Sequence, residues 1–411
     1  MIKKIYIVLL LFFVIYYPPI LSFNISILVG GISIFGIIKI LFKNKKVIFS
    51  KYSIKMLFFI IAISVYLTVV ALINNQSVIN VNKNMLFWFF SVIPTGIYIS
   101  LIINKMNIKN KSQYILDLFI VCALIQSILA LLAYFYPSFQ EWTIEQMIEY
   151  GFSESRFTAL STFRWYGLSG KLGYTSPILQ MFIAIVTLYL GILKNKKYVI
   201  CFPFLFFSAI INARTVIVIF LLGIIILIIN LMKKVSKDII NRTIMFLSLF
   251  FILFITVFYF VSTSKSDNFI WIQEGVNELI KIFTLQDITE IYYFNPQNYI
   301  LPNGLSIMIG VGTYTGGNLG YATDIGYVND IYLGGVIYLC MILFFFYYVL
   351  RSFYRGHNVT YKFIYQFGLI VLLISNIKGY VFSYNELTSF FIILGIMYNS
   401  VNVCNKYRDK E

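Results

Sequence analysis

Residues 215–232 read TVIVIFLLGIIILIINLM, without one charged side chain. A hydrocarbon core about 30 Å thick takes about 20 apolar residues of helix, so this stretch reads as a membrane span. Eleven others surround it: 5–23, 25–42, 56–73, 85–103, 114–136, 177–193, 198–212, 243–263, 328–350, 363–380 and 387–402. All are too long and too continuous for barrel strands, which alternate over about 10 residues. Across the 411 residues, 60% are hydrophobic and only 12% charged, where a soluble chain has about a quarter charged. Disorder is excluded by the aromatic share of 19%, and a disulfide scaffold by four cysteines. The expectation is an all-α polytopic membrane protein, one integral domain over 1–411 with about twelve transmembrane helices. The first stretch lacks a small-residue cleavage site and runs through Pro18-Pro19 into the second, unlike a cleaved signal peptide.

Basic residues set the expected orientation. Alternate connections, with both ends of the chain, hold 24 of the 32 lysines and arginines. The remaining 8 are Lys83, Arg156, Arg164, Lys171, Arg214, Lys265, Lys281 and Lys378. The richer side is cytoplasmic by the positive-inside rule, which places both termini inside. The net charge of +16 is then a topology signal facing anionic lipid, and calls for no nucleic acid. Cys122, Cys201 and Cys340 fall within spans and Cys404 at the cytoplasmic end, so no disulfide is expected.

Cytoplasmic loops are short and without a phosphate-loop, dinucleotide or Cys/His metal motif, and the single histidine, His357, lies in one of them. The polar chemistry sits in two long outer loops, 137–176 and 264–327, of a length that is uncommon without function. Each holds an amphipathic stretch: 139–151, with Glu141, Glu145 and Glu149 on one stripe, and 269–292 around Trp271. Either could lie on the membrane surface, or present a face to a ligand.

The first loop continues through Arg156, Arg164, Trp165, Tyr166, Gly167, Gly170, Lys171, Gly173 and Tyr174, with Glu154 just before. Guanidinium groups grip phosphate oxygens two at a time, glycines admit a close ligand, and aromatic faces stack on sugars. The same cations could instead bind lipid headgroups. Arg214, in Asn212-Ala213-Arg214-Thr215, has so short a connection that its charge stands at the outer interface, either as a snorkelling anchor or as a functional cation. Lys378 shares that argument. The second loop ends in Gly310-Val-Gly312 and Asp324-Ile-Gly326-Tyr327, with Asp330 one turn on. Its carboxylates could be a general base, partners of arginine, or a helix cap.

These residues, in this order, resemble the O-antigen polymerase (Wzy) family and the related O-antigen ligases. The parallels are the twelve-span layout, two large periplasmic loops, a small-Arg-Thr turn at 213–215, the Gly-x-Gly and Asp-x-Gly-Tyr segments, and Arg156 followed eleven positions later by Gly167. The resemblance implies a C-type glycosyltransferase-like architecture in the inner membrane. It implies a metal-independent, inverting enzyme without cofactor that joins repeat units carried on undecaprenyl pyrophosphate into O-antigen or capsular polysaccharide. A chain-length regulator, or polysaccharide co-polymerase, would be its partner, besides membrane lipids. In that scheme Arg156, Arg164, Lys171, Tyr174, Arg214, Lys378 and Tyr327 bind substrate and pyrophosphate, and Asp324 is the base, with Asp330 or Glu154 as alternatives. A ligase is expected to carry a histidine in its second large loop, and 264–327 has none. A lipid-linked oligosaccharide flippase is the other rival; it should show internal repeats and charges within several spans.

Overall fold

A computed structural model describes residues 2–19, 24–44, 50–149, 151, 164–170, 173–232, 239–244, 248, 252, 255, 267–315, 322–354 and 358–408. Among them there are helices and turns but no strand. The main helices are α1 (Ile2–Tyr16), α2 (Ile25–Asn44), α3 (Lys51–Ile73), α4 (Val78–Asn104), α5 (Lys111–Phe135), α6 (Pro137–Glu149) and α7 (Thr175–Leu193). They continue with α8 (Cys201–Ile210), α9 (Thr215–Met232), α10 (Asp267–Thr284), α11 (Gly326–Tyr354), α12 (Val359–Lys378) and α13 (Glu386–Arg408). Eight are long and apolar enough to cross a membrane: α2, α3, α4, α5, α7, α9, α11 and α12. The chain is an all-helical, multi-pass membrane protein.

Of the twelve expected spans, eight stand among the described residues as helices of that length and apolarity, and the other four differ locally. Pro18 drives the residue before it out of helical geometry. Accordingly α1 stops at Tyr16, ahead of Pro18-Pro19. The stretch 198–212 divides into a 3-10 turn, Lys196–Ile200, and the ten-residue α8. The stretch 387–402 lies within α13, and most of 243–263 lies outside the described residues.

Burial separates central from peripheral helices. α7 is enclosed over 94% of its span, with Phe182 stacked on Phe367 of α12 at 4.9 Å and Tyr189 on Phe363 at 4.2 Å. α13 is buried from Leu387 to Tyr398. On the outside, α3 exposes Phe58, Val65 and Leu72. Such apolar surface is stable only against lipid. α6 is the surface helix expected at 139–151: Met147 packs on Tyr166 while Glu141, Glu145 and Glu149 are exposed.

Two spans are irregular. α4 starts seven residues before the expected span, at a cap where Ser77 Oγ accepts from the Asn80 N–H. It widens to a π-turn at Trp88–Val92 just before Pro94, whose ring cannot sit in a regular helix interior. α11 is broken at Gly334 and Gly335, where Gly335 takes φ 70° and ψ −174°. The turn Ser306–Ile309 packs into the break. A Cβ on Gly335 would lie 2.0 Å from the Met308 carbonyl oxygen, and one on Gly310, itself at φ 81°, would lie 2.5 Å from Gly334 Cα. The unwound backbone is satisfied across elements: Val311 N–H donates to Tyr332 O at 2.7 Å, and Tyr66 OH donates to Gly334 O at 2.8 Å. Thus Gly310-Val-Gly312 seats a loop against bare helix backbone.

Candidate functional site

α4, α7, α9, α11 and α13 begin at the end of the bundle where α12 stops, and there they surround a cavity of 1130 Å³. Arg164, Tyr174, Arg214, Asp324 and Lys378 line it, together with Lys83 and Glu278. Residues separated by more than two hundred positions in sequence thus meet on one surface.

The segment carrying Arg164 is held from several sides. Gln140 of α6 donates to the Arg164 carbonyl at 3.2 Å, and the Trp165 N–H donates to Asn212 Oδ1 at 2.6 Å. Gln126 of α5 donates to the Tyr166 carbonyl at 2.6 Å. Gly170 lies so close to Tyr17 that a Cβ there would sit 2.1 Å from the Tyr17 carbonyl oxygen. Glu386, fully buried in the first turn of α13, ties down the rest: Ser169 Oγ donates to Oε1 at 2.6 Å and Thr175 Oγ1 to Oε2 at 2.5 Å. A carboxylate at a helix N-terminus also gains from the exposed amide dipoles.

Arg214 meets two carboxylates of α10, Glu274 at 2.9 Å and Glu278 at 3.3 Å, one turn apart. Gly275 lies flush on the arginine stem, where a Cβ would come within 2.8 Å of Cδ. The Arg214 side chain is 21% exposed, against 56% and 43% for the two acids, so α10 sits over the arginine while the acids reach water. Lys378 Nζ lies 5.9 Å from the Tyr174 ring centroid and 5.8 Å from that of Tyr293, within range of cation–π attraction.

Asp324 is exposed at the cavity, and its N–H donates to Tyr292 OH at 2.9 Å. Asp330 is elsewhere: fully buried in α11, away from the cavity lining, with Asn376 donating to Oδ2 at 2.8 Å and no partner on Oδ1 among the described residues. Tyr327 turns its hydroxyl to the Leu373 carbonyl at 2.7 Å and does not line the cavity either. Glu154, Arg156 and Lys171 lie outside the described residues, as does His357.

Beneath the cations is a network absent from the sequence expectations. Asn84 Nδ2 donates to Tyr314 OH at 3.0 Å, Tyr314 OH donates to Tyr380 OH at 3.3 Å, and Tyr338 OH stands 3.4 Å from Tyr380 OH. Burial pushes the Tyr314 hydroxyl up to about 12, and raises Tyr174, Tyr293 and Tyr380 well above the ordinary tyrosine value. These phenols therefore keep their protons around neutral pH and remain hydrogen-bond donors. The one available signal was the polar run Asn80-Val-Asn82-Lys83-Asn84, which reads as loop and is the first turns of α4.

The arrangement offers fixed cations for an anion, a carboxylate that can accept a proton, and amide, hydroxyl and aromatic surface beside them. Comparison with protein-family models, with curated proteins and with solved structures returns no match.

Proposed function

We propose that the chain is a polysaccharide polymerase, extending a glycan carried on undecaprenyl pyrophosphate by lipid-linked repeat units at the periplasmic face of the inner membrane. The observation that carries this reading is the convergence of Arg164, Arg214 and Lys378 on one cavity beside Asp324. In the reaction, Asp324 takes the proton of the acceptor hydroxyl. That oxygen forms a bond to the anomeric carbon as the bond from this carbon to the pyrophosphate oxygen breaks. The cations stabilise the charge left on the pyrophosphate, and fixed charges aimed at developing charge commonly supply the greater part of an enzyme's rate enhancement. The test is deletion of the gene in its host, followed by a glycan ladder gel. A polymerase defect leaves a core bearing one repeat unit; a ladder of normal length overturns the reading.

This function needs the cavity on the periplasmic side of the membrane. The 24-to-8 division of basic residues supports that orientation, with both termini cytoplasmic. Reporters fused near residues 155 and 300 should both give a periplasmic signal, and a cytoplasmic signal at either would contradict it.

Divalent metal should not be required, because the arginines and lysine do the charge-neutralising work that a metal does in other glycosyl transfers. Purified protein is expected to extend lipid-linked repeats in excess chelator. Activity lost to chelator and restored by magnesium or manganese would contradict this.

A flippase for the same lipid-linked substrate is the second reading. The break in α11 and the buried Asp330 favour it, since interrupted helices and intramembrane acids are hallmarks of transporters. A flippase mutant leaves no attached repeat at all, which the same ladder gel separates from the polymerase defect. An O-antigen ligase mutant would also leave no attached repeat.

A further inference from the structure

The cavity has a second wall whose chemistry differs from that of the cations. Along α4, Asn80, Asn84 and Phe87 recur at i, i+4 and i+7, one face of a helix, and all three line the cavity. The segment between α12 and α13 adds Tyr380, Ser383 and Asn385. Phe87 lies parallel to Tyr384, with 4.6 Å between centroids and 6° between planes, and Tyr384 packs in turn on Tyr17 at 5.1 Å. Tyr17 and Tyr384 are buried while Phe87 is half-buried, so Phe87 is the outer ring of a supported stack. Asn84 is locked: its Oδ1 accepts the Tyr384 N–H at 3.0 Å and its Nδ2 donates to Tyr314 OH at 3.0 Å. Apart from Lys83, this wall offers amides, hydroxyls and a ring face.

We infer that the α4 wall is a subsite for uncharged sugar rings of the lipid-linked substrate, selecting them over acidic sugars; this rests on the polymerase reading. Vicinal hydroxyls each donate and accept, and a carboxamide presents a donor and an acceptor in one plane. The C–H face of a pyranose is apolar and packs on the electron-rich face of an aromatic ring. An acidic group is drawn to Arg164, Arg214 and Lys378 across the cavity, where it competes with pyrophosphate. The volume of 1130 Å³ exceeds the roughly 300–1,000 Å³ of ordinary small-molecule sites, leaving room for sugar beside pyrophosphate.

Two variants test the wall without touching its locked residues. Asn80 is exposed, so Asn80→Ala removes an amide with little consequence for folding. Phe87→Leu keeps apolar bulk and removes the ring. The full chain in detergent is titrated with the free repeat-unit oligosaccharide from the host polysaccharide, and separately with inorganic pyrophosphate. Each variant should weaken oligosaccharide binding about tenfold, leave pyrophosphate binding unchanged, and raise KM for the acceptor more than it lowers kcat. Variants that bind the oligosaccharide as wild type does overturn the inference. So does a wild-type chain that binds none, an acidic oligosaccharide whose binding depends on Asn80 and Phe87, or equal loss of both ligands. A deletion strain with a normal ladder would instead sink the polymerase reading, while sugar binding that depends on Asn80 and Phe87 would still stand.

Discussion

Arg214→Lys should lose most glycan elongation and Arg214→Ala nearly all of it, at unchanged levels of protein in the membrane. Lysine keeps the charge but gives up the planar two-pronged donor. A charge-assisted bond lost to the transition state corresponds to roughly 2–4 kcal/mol, or about 30- to 1000-fold in rate. The ion pairs with Glu274 and Glu278 make a control possible. If Arg214 serves only to pin α10, Glu274→Gln with Glu278→Gln should be as damaging as Arg214→Ala. If Arg214 holds pyrophosphate, the double variant should lose far less. Elongation assayed with membranes of each strain decides, and wild-type rates from Arg214→Lys would refute the assignment.

Gly335→Ala is expected to destabilise the fold by about 3 kcal/mol or more. Two independent costs meet there: a backbone at φ 70° and ψ −174°, a region essentially reserved for glycine and worth roughly 1–3 kcal/mol, and a Cβ placed 2.0 Å from a backbone oxygen that cannot turn aside. Gly31→Ala is the matched control. It sits inside α2, where a Cβ meets nothing within 4 Å, and alanine there should be neutral or stabilising by about 0.5–1 kcal/mol. Thermal unfolding in detergent should place Gly335→Ala well below wild type and Gly31→Ala at or slightly above it. A Gly335→Ala protein as heat-stable as wild type would mean that the break in α11 is not built as described.

The helical membrane class was legible because apolar length is a nearly sufficient signal in lipid. Stretches such as 215–232 and 363–380 read as helices from hydropathy alone. What escaped were places where local rules were overridden. Asn80 to Asn84 reads as loop because polar side chains are costly in a span; here Asn80, Lys83 and Asn84 face a cavity and the buried Asn82 bonds Ser64 and Thr68 of α3, so the helix runs through them. The break at Gly334–Gly335 looks like ordinary glycine inside an apolar run, and becomes visible only when the turn at 306–309 is seen docked into it. Of the residues proposed for the site, those given by scarcity of charge on one side, Arg164, Arg214 and Lys378, do meet. Tyr327, drawn from the Asp-x-Gly-Tyr segment, and Asp330, the alternative base, do not line the cavity; on α11 it is Asn329 that does, because a helix turns about 100° per residue. Glu386 gave no signal beyond being an acid at a helix start, yet it fixes the loop behind Arg164 through Ser169 and Thr175.

The most direct measurement places the purified full-length chain in proteoliposomes with undecaprenyl-pyrophosphate-linked repeat units and follows product length by gel and mass spectrometry. The account predicts glycans of two or more repeats on a single lipid carrier, with one free undecaprenyl pyrophosphate released per bond formed, and strongly reduced extension with Arg214→Lys. Repeat units that remain single, whether they stay on one leaflet or cross to the other, would contradict it.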